Sequence, residues 1–524
     1  MRPKCSFVLD QRRIYLFNRV VSTFGGQVVA HYERLSALDA SFLGLEDESC
    51  HMHVGGVMIF DAGPLRRSTG GIDIDRIRRA IHARLHLVPR FRQRLAYIPF
   101  ERLPIWVDDD RFRLSYHVRH SALPHPGDER VLKRLVARVM SQPLDRKRPL
   151  WEIWVVEGLQ GDRFALVTKS HHCMIDGISA ADIMSVILES VPTTEIEPPQ
   201  PWKPRPRPSE ARLIFDEVRR RATQPMEAWH AVRNAIRHPE ETLRSVGDSA
   251  AGVLEALAPA LNPVSKTPIN VKVGPHRRFD WTDMQVADLK AVKNVLGGTL
   301  NDVVLATVSG ALRAFFRQRG LDPDELEIRA LVPVSVRTQD ERGRLGNRVT
   351  ELTVPLPVNL ADPVARLRAV RATTADLKES RQALGAQVLT AISDWTVQNL
   401  LVQAVRLASR TRPYNLIVTN VPGPQIPLYL NGTLMQTAYP VVPLFENLGI
   451  VVGLFSYNGG LYWGINGDWE QIPDLHDFVL AIESSFQELQ EAARVASHRA
   501  ASASARKRPR RAKLAVHARP VQAG

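Results

Sequence analysis

Two adjacent histidines, His171 and His172, precede an aspartate and a glycine, Asp176 and Gly177, in the stretch SHHCMIDG. A histidine can accept a proton from a hydroxyl near neutral pH, because its reference pKa is about 6.5. Adjacent side chains in extended backbone point in opposite directions, so we expect one ring to face a substrate and the other to be structural. We expect Asp176 to hold the loop through a basic group or backbone amides, and Gly177 to permit a sharp turn beside a ligand.

Other chemistry is disfavoured for this motif. No H-E-x-x-H is present, and the three cysteines, Cys5, Cys50 and Cys173, are too scattered for a zinc site or a disulfide framework. The chain also lacks the G-x-S-x-G elbow of hydrolases and the glycine-rich loops that bind nucleotides. The residues alone leave two interpretations open: a general base, or a pair of structural histidines.

The motif is predicted to lie between a strand and a helix. Two β-rich runs, Trp151–Leu159 and Phe164–Ser170, are joined by turn residues and form a predicted hairpin. Helical periodicity follows over Ile178–Ser190. Because rigid elements fix such a loop while leaving it exposed, this position suits a functional histidine.

The rest of the chain mixes helices and strands without a regular βαβ alternation, which favours mixed sheets. Helices are predicted at Glu33–Leu43, Ile72–Leu87, Val131–Met140, 209–260, Met284–Val295, Leu300–Gly320 and Leu475–Ala493. Strands are predicted at His51–Asp61, Ile328–Val336, Val349–Val358, Tyr414–Thr419, Ile450–Tyr457 and Leu461–Ile465.

Length and composition indicate a globular protein of two large domains or three small ones. The predicted organisation has five parts: an uncertain extension over 1–30, a first domain with the histidine motif over 31–195, a proline-rich linker and helical crossover over 196–278, a second domain over 279–495, and a basic disordered tail over 496–524.

Half of the net charge of +14 comes from seven Lys and Arg residues within 506–524, a segment without acids. Such a tail can bind an anionic surface or be merely solvated, and both readings stay open. Nucleic acid is not expected as a partner. No apolar run approaches the roughly 20 residues of a membrane span, and no secretory signal is recognisable. We therefore expect a cytoplasmic protein that contacts membranes or lipid droplets only peripherally.

The motif HHCMIDG resembles the H-H-x-x-x-D-G signature of the CoA-dependent acyltransferase superfamily, which includes chloramphenicol acetyltransferase and peptide-synthetase condensation domains. Five further motifs narrow the resemblance to the bacterial wax ester synthase/diacylglycerol acyltransferase family, over about Glu33 to Ala493. They are LSALDASFL from Leu35, PLW from Pro149, NDVVLA from Asn301, NVPGP from Asn420 and SYNG from Ser456.

The resemblance implies two chloramphenicol-acetyltransferase-like domains with a tunnel between them, in an α/β fold with mixed sheets. Long-chain acyl-CoA is the implied donor substrate, and neither a cofactor nor a metal is implied. By the same resemblance, His172 removes the proton of the acceptor hydroxyl, which attacks the thioester directly without a covalent acyl-enzyme. Asp176 is implied to hold the loop.

Other positions carry two interpretations each. Asn301 is either an oxyanion donor or the N-cap of the following helix. Pro149, Leu150 and Trp151 either line the acyl path or form a turn that enters an edge strand with a core tryptophan. NVPGP is expected to be a rigid turn in which Gly423 supplies unusual dihedral angles. Four arginines either contact the phosphates of CoA or lie on a solvated face: Arg337, Arg342, Arg344 and Arg348.

The function implied by the resemblance is O-acyl transfer from acyl-CoA to diacylglycerol, forming triacylglycerol. A fatty alcohol acceptor, which would give wax esters, is the nearest alternative. A condensation-type enzyme that uses carrier-protein thioesters and a non-catalytic protein that binds lipid surfaces are the other two.

Overall fold

The computed structural model describes residues 32–100, 103–174, 184, 187–220, 264–335, 349–384 and 414–507. The helices are α1 Ala37–Leu45, α2 Ile74–Arg84, α3 Leu114–His117, α4 Glu129–Ser141, α5 Val286–Leu296, α6 Leu300–Gln318, α7 Pro363–Leu384 and α8 Leu475–Lys507. The strands of the first half are β1 Glu33–Arg34, β2 His53–Asp61, β3 Gln93–Tyr97, β4 Pro104–Asp108, β5 Val118–Ala122, β6 Trp151–Leu159 and β7 Arg163–His171. Those of the second half are β8 Arg277–Gln285, β9 Ile328–Ser335, β10 Val349–Leu356, β11 Leu416–Pro422, β12 Tyr429–Leu430, β13 Thr433–Val441, β14 Ile450–Tyr457 and β15 Gly460–Asp468.

A six-stranded mixed sheet forms the core of the first half, in the order β12-β13-β2-β7-β6-β5. Strand β7 lies inside this sheet, antiparallel to both β2 and β6. Its consecutive residues from Phe164 to Val167 are all buried, as expected of a strand covered on both faces. Because neighbours hold β7 on both sides, the point at which it ends is fixed by the sheet.

The second half is built on another six-stranded sheet, in the order β10-β9-β11-β14-β15-β8. Strand β11 runs parallel to β9 and β14, and the other pairs are antiparallel. Helix α6 packs beneath it with both faces buried, including Phe315 and Phe316. The mixed sheets confirm the predicted fold class, and a small third sheet has the order β1-β4-β3.

Strand β13 comes from the second half of the chain but pairs with β2 in the sheet of the first half, where Tyr439 lies opposite Val57. The sequence analysis did not predict this strand, because TLMQTAYPV contains polar residues and Pro440. A proline is tolerated here since β12 pairs only with the beginning of β13, which leaves the remainder as an edge. The predicted domain boundary therefore does not coincide with the division between the two sheets, because β13 of the second predicted domain belongs to the sheet of the first.

The predicted linker over Pro198–Pro208 has no regular secondary structure, and a helix follows over 210–220. Most of the helix predicted at Ile178–Ser190, and the region 221–263, lie outside the described residues. Helix α8 continues to Lys507, so residues 496–507 are not the disordered tail that was predicted. Their alanines and arginines have high helix propensity, which the charge-based prediction neglected.

No single helix among the described residues has the length and apolar character to cross a membrane. The pair α5 and α6, bent by 95° at their junction, meets the same criterion on length and composition only.

Gly464 of β15 lies where the two sheets meet. A Cβ atom on this residue would stand 1.8 Å from the carbonyl oxygen of Pro440 in β13 and 3.3 Å from the Phe279 ring. Gly464→Ala is therefore expected to destabilise the protein by about 1–3 kcal/mol or more, because backbone must shift to admit the methyl group. Thermal unfolding compared with Gly63→Ala, where the added atom meets nothing within 4 Å, measures this effect. Equal melting temperatures for the two variants would contradict the close contact.

Candidate active site

Strand β7 ends at His171, and His172 begins a short 3-10 turn that runs to Met174. The amide of His171 donates to the carbonyl oxygen of Leu150 at 2.9 Å, and that of His172 donates to the carbonyl oxygen of Met52 at 2.7 Å. The turn is thus tied to the strands on both sides. The two rings diverge as predicted, with His171 only 1% exposed and His172 partly exposed.

The ring of His172 stacks on Phe42 of α1, with ring centroids 3.9 Å apart and an interplanar angle of 27°. Burial, followed by the proximity of His171, lowers the pKa of His172 to about 4. The imidazole is therefore neutral at physiological pH, and a neutral ring retains a lone pair that can accept a proton. The geometry and the charge state both suit a general base.

The ring of His171 points into the protein. Its Nδ1 accepts a hydrogen bond from the amide of Cys173 at 3.1 Å, so Nδ1 carries no proton and the ring proton lies on Nε2. That nitrogen lies 3.5 Å from a carboxylate oxygen of Glu46. Glu46 was not among the predicted site residues, although an acid at the end of LSALDASFLGLE, close before HMH, was a usable signal.

Pro149, Leu150 and Trp151 are buried, and Trp151 is 1% exposed. The indole of Trp151 donates to the carbonyl oxygen of Phe91 at 2.8 Å and stacks between Phe91 and His117, with centroids 4.6 Å away on each side. The core tryptophan of the second interpretation is therefore present, but its edge strand was wrong, because β6 lies between β5 and β7 in the sheet. Whether the segment also lines the acyl path stays a prediction.

Asn301 is not the N-cap of α6. Thr299 occupies that position, and its side chain forms a capping box with Asp302. The N-cap interpretation was wrong because a threonine two residues earlier, followed by an acid, makes the better cap. The side-chain oxygen of Asn301 instead accepts a hydrogen bond from the side-chain nitrogen, Nδ2, of Asn420 at 3.0 Å. Two of the family-like motifs, NDVVLA and NVPGP, therefore meet in space.

Gly423 does not adopt the left-handed conformation, so the expectation of unusual dihedral angles was wrong. It is required for its small size, because a Cβ atom would lie 2.3 Å from both the Phe455 ring and the carbonyl oxygen of Ser456. The hydroxyl of Ser456 in turn accepts from the amide of Gly423 at 3.2 Å. NVPGP and SYNG are thus packed against each other.

The remaining predicted residues lie outside the described residues: Asp176, Gly177, Arg337, Arg342, Arg344 and Arg348. Within the described part of the chain, no three His, Cys, Asp or Glu side chains are grouped as metal ligands.

Comparison with known protein families gives two matches along this chain. Residues 35–304 match the wax ester synthase/diacylglycerol acyltransferase catalytic domain, and residues 345–490 match the C-terminal domain of the same family. The chain belongs to this family. The resemblance drawn from the motifs is thereby confirmed, and the protein is an acyltransferase of the wax ester synthase/diacylglycerol acyltransferase type.

Two curated relatives come from Mycobacterium tuberculosis. One, a putative diacylglycerol O-acyltransferase, is 32% identical over 473 residues, which cover 88% of this chain and 91% of the relative. The other, a probable diacylglycerol O-acyltransferase, is 33% identical over 460 residues, covering 87% and 95% respectively.

Among solved structures, the wax ester synthase/diacylglycerol acyltransferase from Marinobacter aquaeolei matches with a TM-score of 0.64 and 25% identity, over 88% of this chain and 99% of that one. The starter condensation domain of rhizomide synthetase matches with a TM-score of 0.52 and 13% identity, over 89% and 95%. The second likeness concerns the fold alone.

Burial lowers the pKa of His172, and the Phe42 ring stacked on it forms part of its cover. Selective labelling of histidine and NMR titration should place the pKa of His172 near 4. In Phe42→Ala, water reaches the ring, and the pKa should rise toward the ordinary value of about 6.5. Phe42→Leu keeps an apolar cover and should shift the value less. A wild-type His172 that titrates near the ordinary value would contradict the shielded environment.

Proposed function

We propose that this protein transfers a long-chain acyl group from acyl-CoA to diacylglycerol and so forms triacylglycerol. Its family and its similarity to relatives named diacylglycerol O-acyltransferases, at 32% and 33% identity, support this function. The observation that carries the proposal is the partly exposed, neutral ring of His172 at the end of β7, within the H-H-x-x-x-D-G signature.

In the proposed reaction, His172 acts as general base. It takes the proton of the acceptor hydroxyl while the oxygen attacks the carbonyl carbon of the thioester. The tetrahedral intermediate collapses by breaking the carbon–sulfur bond, and the ester is released. The departing CoA thiolate takes the proton from His172, which restores the neutral ring. The protons balance with acyl-CoA and the acceptor alone, without a covalent acyl-enzyme or a further cofactor.

The oxyanion of the intermediate needs a hydrogen-bond donor, and we propose Asn301 for this role. Its side-chain oxygen already accepts from Asn420, an arrangement that leaves its two N–H donors for another partner. Asp176 is proposed to hold the loop and Gly177 to let the ligand approach. The core contacts of Leu150 and Trp151 support a role in fixing the strand before the motif.

A fatty alcohol is the second candidate acceptor, because the similar Marinobacter structure is named both wax ester synthase and diacylglycerol acyltransferase. The donor and the base would be unchanged. We also propose that the substrates meet in a tunnel between the two halves. Peripheral contact with a membrane or lipid droplet, from the cytoplasm, would give access to these poorly soluble substrates.

Replacement of the proposed base should remove activity without unfolding the protein. With labelled palmitoyl-CoA and a panel of diacylglycerols and fatty alcohols, His172→Ala should lower turnover by about 10²–10⁴-fold, the usual contribution of a general base. Chromatography of the neutral lipids would identify the preferred acceptor of the wild type.

His498→Ala, which changes an exposed histidine on α8, is a matched control and should keep full activity. Near-normal turnover by His172→Ala would exclude His172 as the base. Wild-type product with fatty alcohols alone would favour wax ester synthesis.

The basic C-terminal segment is proposed to attach the enzyme to anionic lipid. Deletion of residues 506–524 removes seven basic residues and should weaken binding to anionic vesicles, by about 1 kcal/mol for each basic residue that lies near the surface. Flotation with neutral vesicles is the control, and it should not change. If binding to anionic vesicles is the same with and without the segment, this role is eliminated.

A further inference from the structure

The carboxylate of Glu46 lies among four basic side chains beside the histidine motif. Its Oε2 is held by Arg146 and lies 3.5 Å from Nε2 of His171. Its Oε1 lies 3.6 Å from Nε2 of His53 and 4.0 Å from Nδ1 of His51. The side chains of Glu46 and the three histidines are each no more than 9% exposed, so their charges interact strongly, whereas Arg146 approaches from the surface and is 43% exposed.

The charge state of this cluster is set by its contacts. Burial raises the pKa of Glu46, but His171 and Arg146 outweigh it and lower the pKa to about 2. Burial, with Lys169 as the next cause, lowers the pKa of His53 well below its ordinary value, so that ring is neutral. Glu46 is therefore a permanent anion at physiological pH. The proton on Nε2 of His171 faces that anion.

Glu46 also belongs to the helix that supports His172. It is the C-cap residue of α1, and Phe42, four residues earlier, stacks on the His172 ring. One end of one helix thus contacts both histidines of the motif. Arg146 fixes this end, because it donates to the carbonyl oxygen of Leu43 at 3.3 Å as well as to Glu46. A cation at the C-terminus of a helix is favourable, which strengthens the attachment.

A continuous set of contacts leads from Arg146 to the proposed base. Arg146 holds Glu46, and Glu46 faces the proton of His171. The other nitrogen of His171 accepts from the amide of Cys173, the residue that follows His172 in the 3-10 turn. The orientation of the His171 ring therefore helps to fix the backbone of the turn that carries His172, through the hydrogen bond to the Cys173 amide. A rotated or tautomerised His171 would leave the amide of Cys173 without this acceptor.

From this geometry we propose that Glu46 is a positioning residue: it holds His171 in the Nε2-protonated form, and through Cys173 it fixes the ring of His172 against Phe42. The inference rests on the proposed role of His172 as base. Glu46 does not contact the substrate in this account, so its loss should affect turnover rather than substrate binding.

Glu46→Gln keeps the shape of the side chain and removes its charge. We expect kcat to fall by about 10–100-fold with KM little changed, the range found when a group that orients a functional histidine is removed. Nitrogen NMR of labelled histidines should show the His171 proton on Nε2 in the wild type and a mixture of tautomers in the variant. Glu48→Gln is the matched control, because Glu48 is exposed on the same loop and carries the same charge.

Coupling to His171 separates positioning from a general loss of stability. His171→Ala should lower kcat by a similar factor, and the double variant should be no slower than the slower single one, because both act through the same contact. Glu46→Asp, which retains the charge on a shorter side chain, should recover part of the activity.

The proposal is overturned if Glu46→Gln has wild-type kcat and an unchanged tautomer, or if its effect adds fully to that of His171→Ala. Failure of the base itself gives a different result. In that case His172→Ala remains active, regardless of the effect of Glu46→Gln.

Discussion

Two backbone hydrogen bonds at the end of β7 determine the geometry of the site. The amides of His171 and His172 donate to strands on opposite sides, through Leu150 and Met52. The two acceptors directly precede β6 and β2, the neighbours of β7 in the sheet, so the turn cannot rotate without losing both backbone bonds. The side chain of His171 then points into the protein and that of His172 points toward its exposed side. Which histidine is available for chemistry is thus decided by the backbone.

Burial of the charged side chains of Glu46 and Lys169 behind the motif would be unfavourable if they lacked polar partners. Burying a charge without a partner costs several kcal/mol, yet Lys169 and Glu46 are both buried here. Lys169 donates to the carbonyl oxygens of Val139 and Gln142 at the end of α4, and burial lowers its pKa to about 8. Glu46 has Arg146. The same pairing that makes burial tolerable also fixes the elements that surround His172.

Strands with continuous apolar runs, such as Ile450–Tyr457, were predicted to the residue, because burial on both faces leaves a clear pattern. Strands β8 and β13 were not predicted. RRFDWTDMQ and TLMQTAYPV look polar alone, and they become strands because distant neighbours complete the sheets. The histidine motif could be found from spacing. The position of Glu46 before HMH marks it as a candidate but leaves its role unassigned. Its partners lie before β2, in β2, after α4 and at the end of β7, and only the fold brings them together.

The pKa values of the groups around the motif keep the charge of the proposed base unchanged near neutral pH. Glu46 has a pKa of about 2, His172 about 4 and Lys169 about 8. Glu46, whose pKa is lowered, contributes stability that is present above its ordinary value and is lost as the pH falls toward 2. Between about pH 5 and 7 none of these three groups changes its charge substantially. A neutral His172, with an ionised Glu46 next to His171, is therefore the stable state over that range. Burial lowers the basicity of the His172 ring but keeps its lone pair unprotonated, so at neutral pH the ring can accept a proton.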